Sequence, residues 1–377
     1  MKIYYIANAR MPNEKAHGIQ MAKMCEAFTQ AGADLTLVVP SCGSGNLRQF
    51  YGLACEVPVS RLPVWNLRFL GPVGYRLTAL QFALSALFYM WVKVFLGERF
   101  VVYTIDMDSF SFAPLVLVPR PLFAEMHSTK KSNFLTLFFF KHACIIATNQ
   151  LIGDGLATSF RLSSKSMCIE PNGVDESVLW NTMSSLEARV ALALPSDKPF
   201  ALYVGRFYAW KGLEILAEAA ANSSLPIYVV GGTREEYERV TKKSGEMLHF
   251  AGAKPVEEIP LWLAAADVLL MLGTAKNEYS YRYTSPMKIF EYLAADRPTV
   301  ASRTPAATSI MQENTAFWYE PDNAHSLAVA IREAYTSPEA KIKTRAGHSL
   351  ATAHTWRRRA ERILAFCDAI AENTGNT

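Results

Sequence analysis

The sequence lacks the cysteine pattern of a disulfide-rich or zinc-binding protein. Its six cysteines include no C-x-x-C pair, and His and Cys nowhere cluster at the spacing of zinc ligands. Apolar neighbours, as in Ala143-Cys144-Ile145, predict buried free thiols in a reducing compartment. A strong charge excess is also missing. The formal net charge is +4, which is well short of the basic footprint typical of nucleic-acid binding.

The sequence also lacks a recognisable signal peptide and an uninterrupted apolar run long enough to cross a membrane. Lys2–Ala7 follows the first residue directly and is predicted to form a buried strand, so a cytoplasmic location is expected. Leu77–Val92 (LTALQFALSALFYMWV) carries no charge, but it is shorter than the roughly 18 residues of a spanning helix and contains polar residues.

A second apolar stretch, Phe134–Phe140, follows the basic pair Lys130-Lys131, and Arg68 and Arg76 lie beside the first stretch. Two interpretations remain open. The stretches are either core helices of an α/β domain or a patch at a membrane surface, where apolar and basic residues act together. The second interpretation predicts peripheral attachment to the inner face of the membrane, or a lipid-linked substrate.

Short apolar runs alternate with longer amphipathic stretches such as Gly18–Ala31, a pattern that predicts a parallel sheet covered by helices on both faces. The runs predicted as strands in the first half of the chain are Lys2–Ala7, Asp34–Val39, Phe100–Ile105, Leu122–Met126 and Cys144–Thr148. The pattern restarts downstream with Phe200–Val204, Pro226–Val230, Leu248–Phe250 and Val268–Met271, separated by helices over Gly212–Ala221 and Glu257–Ala266.

Two successive α/β units in a chain of 377 residues predict two Rossmann-like domains. The boundary is expected in the loop-forming segment Glu170–Asp175, where Pro, Asn-Gly and Asp occur together. The predicted domains are therefore residues 1–170, an acceptor-side domain, and residues 171–355, a nucleotide-sugar domain. Residues 356–377 are expected to form a last helix and tail that packs back on the first domain.

Two segments of the second unit carry candidate phosphate chemistry. The strand Phe200–Val204 ends in Gly205-Arg206 and, a few residues later, Lys211, so two cations follow a strand end where doubly wound sheets bind ligands. A guanidinium and an ammonium together suit a diphosphate, although two surface cations on a solvated loop are the alternative.

The second segment is Ser285–Glu291. Ser285 suits the N-cap of a helix and the following proline its first position, which predicts a helix start at Thr284/Ser285 with free amides that attract anions. Lys288 and Glu291 are three residues apart and share a helix face, where one can reach phosphate and the other can accept from hydroxyl groups. A plain surface ion pair is the alternative.

These segments resemble a known family. "GR…WKG" followed by "SPMKIFEYLAADRPTVAS" is similar to the phosphate- and ribose-binding motifs of the retaining GT-B glycosyltransferases of glycosyltransferase family 4, the glycosyl transferases group 1. "EPNGVD", "GAKPVEEIPLWLAAADVLLM" and the N-terminal "ARMPNEKAHGIQMAKMCEAFTQAGADLTLVVP" resemble further stretches of that family. The resemblance implies a GT-B fold, in which two Rossmann-like domains face each other across a cleft, and a role in cell-surface polysaccharide biosynthesis.

The resemblance also implies roles for individual residues of the second domain. Arg206 and Lys211 match the cationic pair that holds the donor diphosphate, next to Gly205. Glu291 matches the glutamate that binds the ribose hydroxyls. By the resemblance, Thr284 and Ser285 occupy the helix start that meets the distal phosphate or the sugar through backbone amides. Lys288 is a further candidate contact of the nucleotide-sugar, from its place on the same helix face as Glu291.

In the first domain, Gly18 in the loop Lys15–Gly18 matches the glycine that lets the backbone approach phosphate and acceptor. His127 resembles the family's histidine beside the transferred sugar, with an ordinary loop histidine as the alternative. One departure is clear. The family's E-x7-E motif requires a glutamate where this chain has Tyr283, and Glu278 lies five residues earlier.

The family reaction transfers a sugar from a nucleotide-diphosphate sugar, here expected to be a UDP- or GDP-sugar, to a glycan or lipid-linked acceptor. Retention, a leaving-group phosphate as the proton acceptor, and no metal or other cofactor are implied. Asp106-Met107-Asp108 lies away from the donor-side motifs. A sugar-nucleotide epimerase or hydrolytic relative, and a non-catalytic nucleotide-binding subunit, remain alternatives. A dehydrogenase is disfavoured because no G-x-G-x-x-G follows the first strand.

Overall fold

A computed structural model of the chain describes residues 1–65, 67–106, 109–179 and 183–373. The chain folds into two compact units. The N-terminal unit comprises Met1–Pro171 together with Trp356–Thr377, and the C-terminal unit comprises Asn172–Thr355. Each contains its own parallel sheet, which confirms the prediction of two α/β units.

The sheet of the N-terminal unit has seven strands in the order β3-β2-β1-β4-β5-β6-β7, all parallel. Its strands are β1 (Lys2–Ile6), β2 (Asp34–Pro40), β3 (Val59–Leu62), β4 (Val101–Ile105), β5 (Leu122–Met126), β6 (Cys144–Ala147) and β7 (Met167–Ile169). The five predicted strands are confirmed within about a residue at each end. The two unpredicted strands, β3 and β7, are short and form the two edges of the sheet.

The helices of this unit connect successive strands, and the last returns from the far end of the chain. They are α1 (Ala16–Gln30), α2 (Leu47–Tyr51), α3 (Gly71–Phe95), α4 (Ser109–Phe112), α5 (Phe134–His142), α6 (Gln150–Phe160) and α16 (Trp356–Asn373). Helix α16 packs against α1. The strand order reverses beside β1, so the carboxyl ends of β1, β4 and β5 meet at one edge of the sheet.

The C-terminal unit has a six-stranded parallel sheet in the order β10-β9-β8-β11-β12-β13. Its strands are β8 (Ala201–Val204), β9 (Ile227–Val230), β10 (Leu248–Gly252), β11 (Val268–Met271), β12 (Thr299–Ser302) and β13 (Phe317–Tyr319). Its helices are α7 (Glu176–Leu179), α8 (Ser185–Ala191), α9 (Ile215–Asn222), α10 (Arg234–Thr241), α11 (Ile259–Ala265), α12 (Met287–Ala294), α13 (Pro305–Thr308), α14 (Ala324–Thr336) and α15 (Ala340–Ala353).

Helix α3 is longer than its sequence suggested. The uncharged run Leu77–Val92 forms only the middle of a 25-residue helix, and by length and composition this helix is apolar enough to cross a membrane. The interpretation that the segment is too short to span a membrane was therefore wrong. The helix continues through Gly71, Gly74 and Arg76 before the uncharged run and through Lys93 after it. Only 33% of its most apolar window is buried inside the structure. The buried part of α3 lies over the sheet as the connection between β3 and β4, so α3 is also a core helix.

Two glycines bring adjacent strand ends of the C-terminal unit close together. Gly231 follows β9 with φ +138°, and a Cβ on it would lie 2.3 Å from the backbone oxygen of Gly205. Because backbone cannot move aside as a side chain can, no other residue fits this approach. The pair of glycines therefore fixes the distance between the loops that follow β8 and β9.

We expect Gly231→Ala to lower the free energy of unfolding by about 3 kcal/mol or more, since it combines backbone strain with a steric clash. Gly252→Ala is the matched control because Gly252 has φ +77° and a Cβ added to it would meet no atom within 4 Å. It should cost only about 1 kcal/mol of backbone strain. Urea unfolding of both variants measures the difference, and equal losses would contradict the close approach.

Candidate donor site and the carboxyl edge of the N-terminal sheet

The loop after β8 is shaped around one lysine of α12. Lys288 Nζ donates a hydrogen bond to the carbonyl oxygen of Val204, the last residue of β8, at 2.5 Å. Gly205 follows with φ +155°, and a Cβ there would lie 2.2 Å from Lys288 Nζ. Gly205 therefore makes room for the ammonium group at the carboxyl end of the strand.

Tyr292 holds the same helix against the same strand end. The amide of Val204 donates to the hydroxyl oxygen of Tyr292 at 2.9 Å, and the Tyr292 hydroxyl lies 3.3 Å from the Val204 carbonyl oxygen. Both residues are buried. Lys288 and Tyr292 are four residues apart on one face of α12, so the helix contacts β8 through two polar side chains instead of apolar packing alone.

Lys211, the second cation of the loop, lies close to Lys288. Its Nζ donates to the backbone oxygen of Arg206 at 2.9 Å and lies over the rings of Tyr208 and Trp210. Burial and the positive charge of Lys288 lower the pKa of Lys211 to about 7. Burial lowers the pKa of Lys288 to about 8, against the opposing effect of Glu291. Arg206 is exposed beside them.

Glu291 lies one turn further along α12, as its spacing from Lys288 predicts. Burial raises the pKa of this carboxyl group; Lys288 opposes the shift and Asp175 adds to it. Asp175 belongs to the "EPNGVD" segment, so that loop and α12 meet around the carboxylate. The structure thus brings Gly205, Lys211, Lys288 and Glu291 together in the C-terminal unit, with the exposed Arg206 on the same loop.

The predicted helix start at Thr284/Ser285 was wrong by about two residues. A π-helical turn, Tyr279–Tyr283, runs directly into Thr284, whose amide donates to Tyr279 O and whose hydroxyl donates to Ser280 O. Neither group of Thr284 is thus available to a phosphate. Helix α12 begins at Met287, with Pro286 in an extended conformation at the N-cap.

Ser285 binds the loop between the two sheets instead of capping the helix. The Asn172 side-chain amide donates to Ser285 O at 2.6 Å, and the Asn172 backbone amide donates to Ser285 Oγ at 3.4 Å. Asn172 is 5% exposed. Our site prediction omitted this residue, although the "EPNGVD" motif contains it. The helix-capping pattern alone could not show that the serine had a partner 113 positions away in the chain.

Tyr283 and Glu278 meet across the π-helical turn. The Tyr283 hydroxyl donates to Glu278 Oε1 at 3.3 Å. The sequence had suggested that Glu278 could reach this position only if the loop departed from the family pattern. The π-helical turn follows Glu278 directly, and π-helical hydrogen bonds join residues five apart, which is the separation of Glu278 and Tyr283.

We predicted that Gly18 lies in a loop, but it lies in the first turn of α1. It is buried, and a Cβ there would lie 2.7 Å from the side chain of Asn13 and from the Tyr51 hydroxyl. The glycine lies in a helix because α1 begins at Ala16, two residues before it. Its backbone lies close to the protein's own side chains, and its approach to phosphate stays a prediction.

His127 follows β5, at the carboxyl edge of the N-terminal sheet. Its Nε2 lies 2.9 Å from Oε1 of the buried Glu125, and its amide donates to Asp106 Oδ2 at 3.2 Å. Glu125 also pairs with the buried Arg359 of α16. Sequence reasoning missed Arg359, because a contact that spans 234 positions leaves no local pattern.

Asp106 does not stand free for a metal ion. Lys130 forms an ion pair with its Oδ1, and Ser128 Oγ donates to its Oδ2 at 2.7 Å. Met107 and Asp108, the rest of the Asp-x-Asp segment, lie outside the described residues. Among the residues that the structure describes, no group of three or more His, Cys, Asp or Glu side chains is placed to hold a metal ion.

Comparison with known proteins agrees with this geometry. Residues 198–337 match the family model of the glycosyl transferases group 1. A curated relative, the teichuronic acid biosynthesis glycosyltransferase TuaC of Bacillus subtilis, is 28% identical over 187 residues, which is 47% of this chain and 45% of the relative. The aligned part of the chain thus spans about half the length of that relative.

Solved structures match over nearly the whole chain. A glycosyltransferase from Rickettsia africae is 14% identical with a TM-score of 0.73, and covers 99% of both chains. Anabaena HepE in complex with UDP is 15% identical with a TM-score of 0.71, and covers 98% of this chain and 100% of its own. At these identities the likeness shows the fold. This chain has the GT-B fold, and its residues 198–337 are similar to the glycosyl transferases group 1.

Proposed function

We propose that this chain transfers a sugar from a nucleotide-diphosphate sugar to a glycan or lipid-linked acceptor. The observation that carries the proposal is the pair of ammonium groups at the end of β8. Lys211 lies close enough to Lys288 that the charge of Lys288 disfavours the charged form of Lys211, and burial disfavours the charged form of both lysines. A diphosphate between them and Arg206 would offset both effects, and it would do so most strongly as negative charge develops on the leaving group.

The other residues of the donor site suit the remaining parts of a nucleotide. In this proposal Glu291 accepts hydrogen bonds from ribose hydroxyls, since donors stabilise a carboxylate whose charged form is disfavoured by burial. The GT-B relatives support a uridine nucleotide, because HepE structures contain UDP and UDP-glucose. We propose a UDP-sugar before a GDP-sugar, retention of configuration, and a reaction in which a phosphate oxygen takes the acceptor proton without a metal ion.

In this proposal, His127 of the N-terminal unit contacts the transferred sugar. The Tyr283–Glu278 pair takes the place of the family's first glutamate at the sugar end of the donor site. Its tyrosine hydroxyl donates a hydrogen bond to the carboxylate of Glu278. The same substitution favours the second candidate function, a subunit that binds nucleotide without transfer. Nucleotide binding without any sugar transfer or donor hydrolysis would select that alternative.

The exposed side of α3 supports a membrane-bound acceptor. Large apolar side chains recur every three or four residues along its whole length and are 37–82% exposed: Val73, Leu77, Leu80, Leu84, Phe88, Val92 and Phe95. Residues at this spacing lie along one face of a helix and form a single stripe. Contiguous exposed apolar surface of this kind marks sites of protein or membrane interaction.

Charge around the stripe fits an anionic lipid surface. No Asp or Glu occurs between Val57 and Gly97, and Arg76 is exposed on α3. Lys131 is exposed ahead of α5, which carries Phe134 at 80% exposure. Lys130, which the sequence grouped with these residues, is paired with Asp106 instead.

The side chain of Arg68 lies outside the described residues. Apolar insertion together with basic contacts gives reversible membrane attachment. We propose that the protein is cytoplasmic and binds the inner face of the membrane through α3.

Removing the donor-site cations should abolish turnover while the protein stays folded. Arg206→Ala and Lys211→Ala are each expected to lower kcat/KM by about 100-fold or more, because the charge that develops on the leaving diphosphate loses a partner. Arg234→Ala is the matched control, since Arg234 is a surface cation of the same unit that pairs with Glu238. Wild-type values of kcat/KM in both test variants would contradict the assignment of these cations to the donor diphosphate.

Affinity for a nucleoside diphosphate should fall as the pH rises from about 7 to about 9. Lys211 and Lys288 have lowered pKa values of about 7 and about 8 in the free protein, and a bound diphosphate must raise both. Binding is therefore strongest where the lysines are already protonated, and it weakens by up to about tenfold per pH unit for each lysine that must take up a proton. Isothermal titration across this range measures the slope; a flat profile would count against the lysine pair.

Membrane binding should depend on the α3 stripe. The triple variant Leu84→Ser, Phe88→Ser and Phe95→Ser is expected to lose binding to phosphatidylglycerol-containing vesicles by at least about tenfold, because three apolar side chains no longer insert. The control carries Val190→Ser, Val256→Ser and Ile342→Ser at exposed positions of the C-terminal unit. Vesicle flotation distinguishes the two triple variants. A wild-type protein that stays wholly in the soluble fraction would contradict the proposal that α3 binds the membrane.

A further inference from the structure

The carboxyl edge of the N-terminal sheet contains a buried carboxylate with a full set of donors. Glu125 is 0% exposed and is the penultimate residue of β5. Gln20 Nε2 donates to its Oε1 at 2.6 Å, and the Tyr103 hydroxyl donates to its Oε2 at 2.5 Å. Arg359 approaches both oxygens, with Nη1 at 3.1 Å from Oε2 and Nη2 at 3.0 Å from Oε1.

The arginine makes this carboxylate permanently ionised. Burial alone would raise the pKa of Glu125, but the Arg359 guanidinium and His127 hold it well below its usual range. Arg359 is itself 0% exposed and donates to the carbonyl oxygens of Glu170 and Pro171 as well. The pair is therefore anchored to the chain segment where the N-terminal unit ends, and to α16, which carries Arg359.

An ionised carboxylate can only accept hydrogen bonds, so each of its neighbours must donate. His127 Nε2 lies 2.9 Å from Glu125 Oε1 and must carry the hydrogen. The carboxylate therefore fixes which ring nitrogen of His127 carries a hydrogen. In the neutral ring, Nδ1 is then the acceptor. The hydrogen bond to Glu125 uses Nε2 and leaves Nδ1 on the opposite side of the ring.

We propose that Arg359, on the last helix of the chain, is a positioning residue for His127. It keeps Glu125 ionised, Glu125 fixes His127 as the Nε2–H tautomer, and His127 presents Nδ1 as a hydrogen-bond acceptor to a hydroxyl group of the sugar substrate. The substrate part of this inference rests on the proposed transferase function. The tautomer and its dependence on Arg359 are properties of the N-terminal unit by itself.

The direct test is the imidazole spectrum of the full-length protein labelled with ¹⁵N-histidine. Long-range ¹H–¹⁵N correlations distinguish the two neutral tautomers, and a His127→Gln variant assigns the signal among the seven histidines of the chain. We expect the wild type to show Nε2–H. An Nδ1–H tautomer in the wild type overturns the proposal, whatever any variant does.

Variants then separate positioning from general packing. Arg359→Met leaves Glu125 buried without its cation, so the carboxyl group should take up a proton and the Nε2–H signal of His127 should be lost. Arg359→Lys keeps a positive charge and should retain it. Arg362→Gln is the matched control on the same helix, because Arg362 pairs with Glu170 and not with Glu125. An unchanged His127 signal in a folded Arg359→Met protein contradicts the proposal.

A milder pair of variants covers the case in which Arg359→Met does not fold. Glu125→Gln replaces the acceptor-only group by an amide that can also donate, so His127 should lose its single tautomer. Gln20→Met removes one neutral donor and should keep the tautomer. Failure of either expectation counts against the proposal in the same spectrum.

Kinetics supply a second reading once an acceptor is available. Folded Arg359→Met should lower kcat by roughly tenfold or more with the donor KM changed by less than about twofold, because the misplaced imidazole affects the transition state and not the nucleotide. Arg359→Lys should recover most of the rate. If no sugar transfer occurs in any form of the protein while the tautomer behaves as expected, the proposed function fails and the positioning network stands.

Discussion

The carbonyl oxygen of Val204 is the point on which the donor site depends. It ends β8, and it receives Lys288 Nζ at 2.5 Å with the Tyr292 hydroxyl at 3.3 Å. These contacts fix which face of α12 meets the end of β8, and Glu291, three residues after Lys288, lies near that face. They also require a glycine at position 205, where any side chain would displace the ammonium group. The strand end, the loop and the helix are thus one arrangement, built to hold positive charge where a parallel sheet binds its ligands.

The two units treat buried charge in opposite ways. Around Glu125, cation, carboxylate and neutral donors satisfy one another, which is the condition under which a buried ion pair is tolerated. Around Lys288, two ammonium groups lie close together and their pKa values fall. The first arrangement suits a fixed scaffold that orients a side chain. The second suits a site that is completed by an anionic ligand, since the electrostatic cost is offset only on binding.

Much of this could be predicted from the sequence, for a physical reason. Buried parallel strands are continuous apolar runs, so β1, β5, β8 and β11 and the restart of the pattern were visible, and the two-sheet fold followed. Short edge strands such as β3 and β13 carry too little periodicity to be seen. At the site, Lys288 and Glu291 share a face of α12 as their spacing suggested, and Lys211 lies near Lys288. The local structure around Ser285 and Gly18 did not follow, because a π-helical turn precedes α12 and because α1 begins before Gly18. Asn172 and Arg359 depend on partners far away in the chain, which spacing cannot reveal.

The central claim is that the C-terminal unit binds a nucleoside diphosphate through the cations at the end of β8. A thermal-shift comparison of UDP, GDP, ADP and CDP tests it most directly, because a ligand that binds only the folded protein must raise the melting temperature. The account predicts a concentration-dependent rise with UDP or GDP in the wild type, and its loss in Lys211→Ala. A melting temperature that none of the four nucleotides changes would contradict the account.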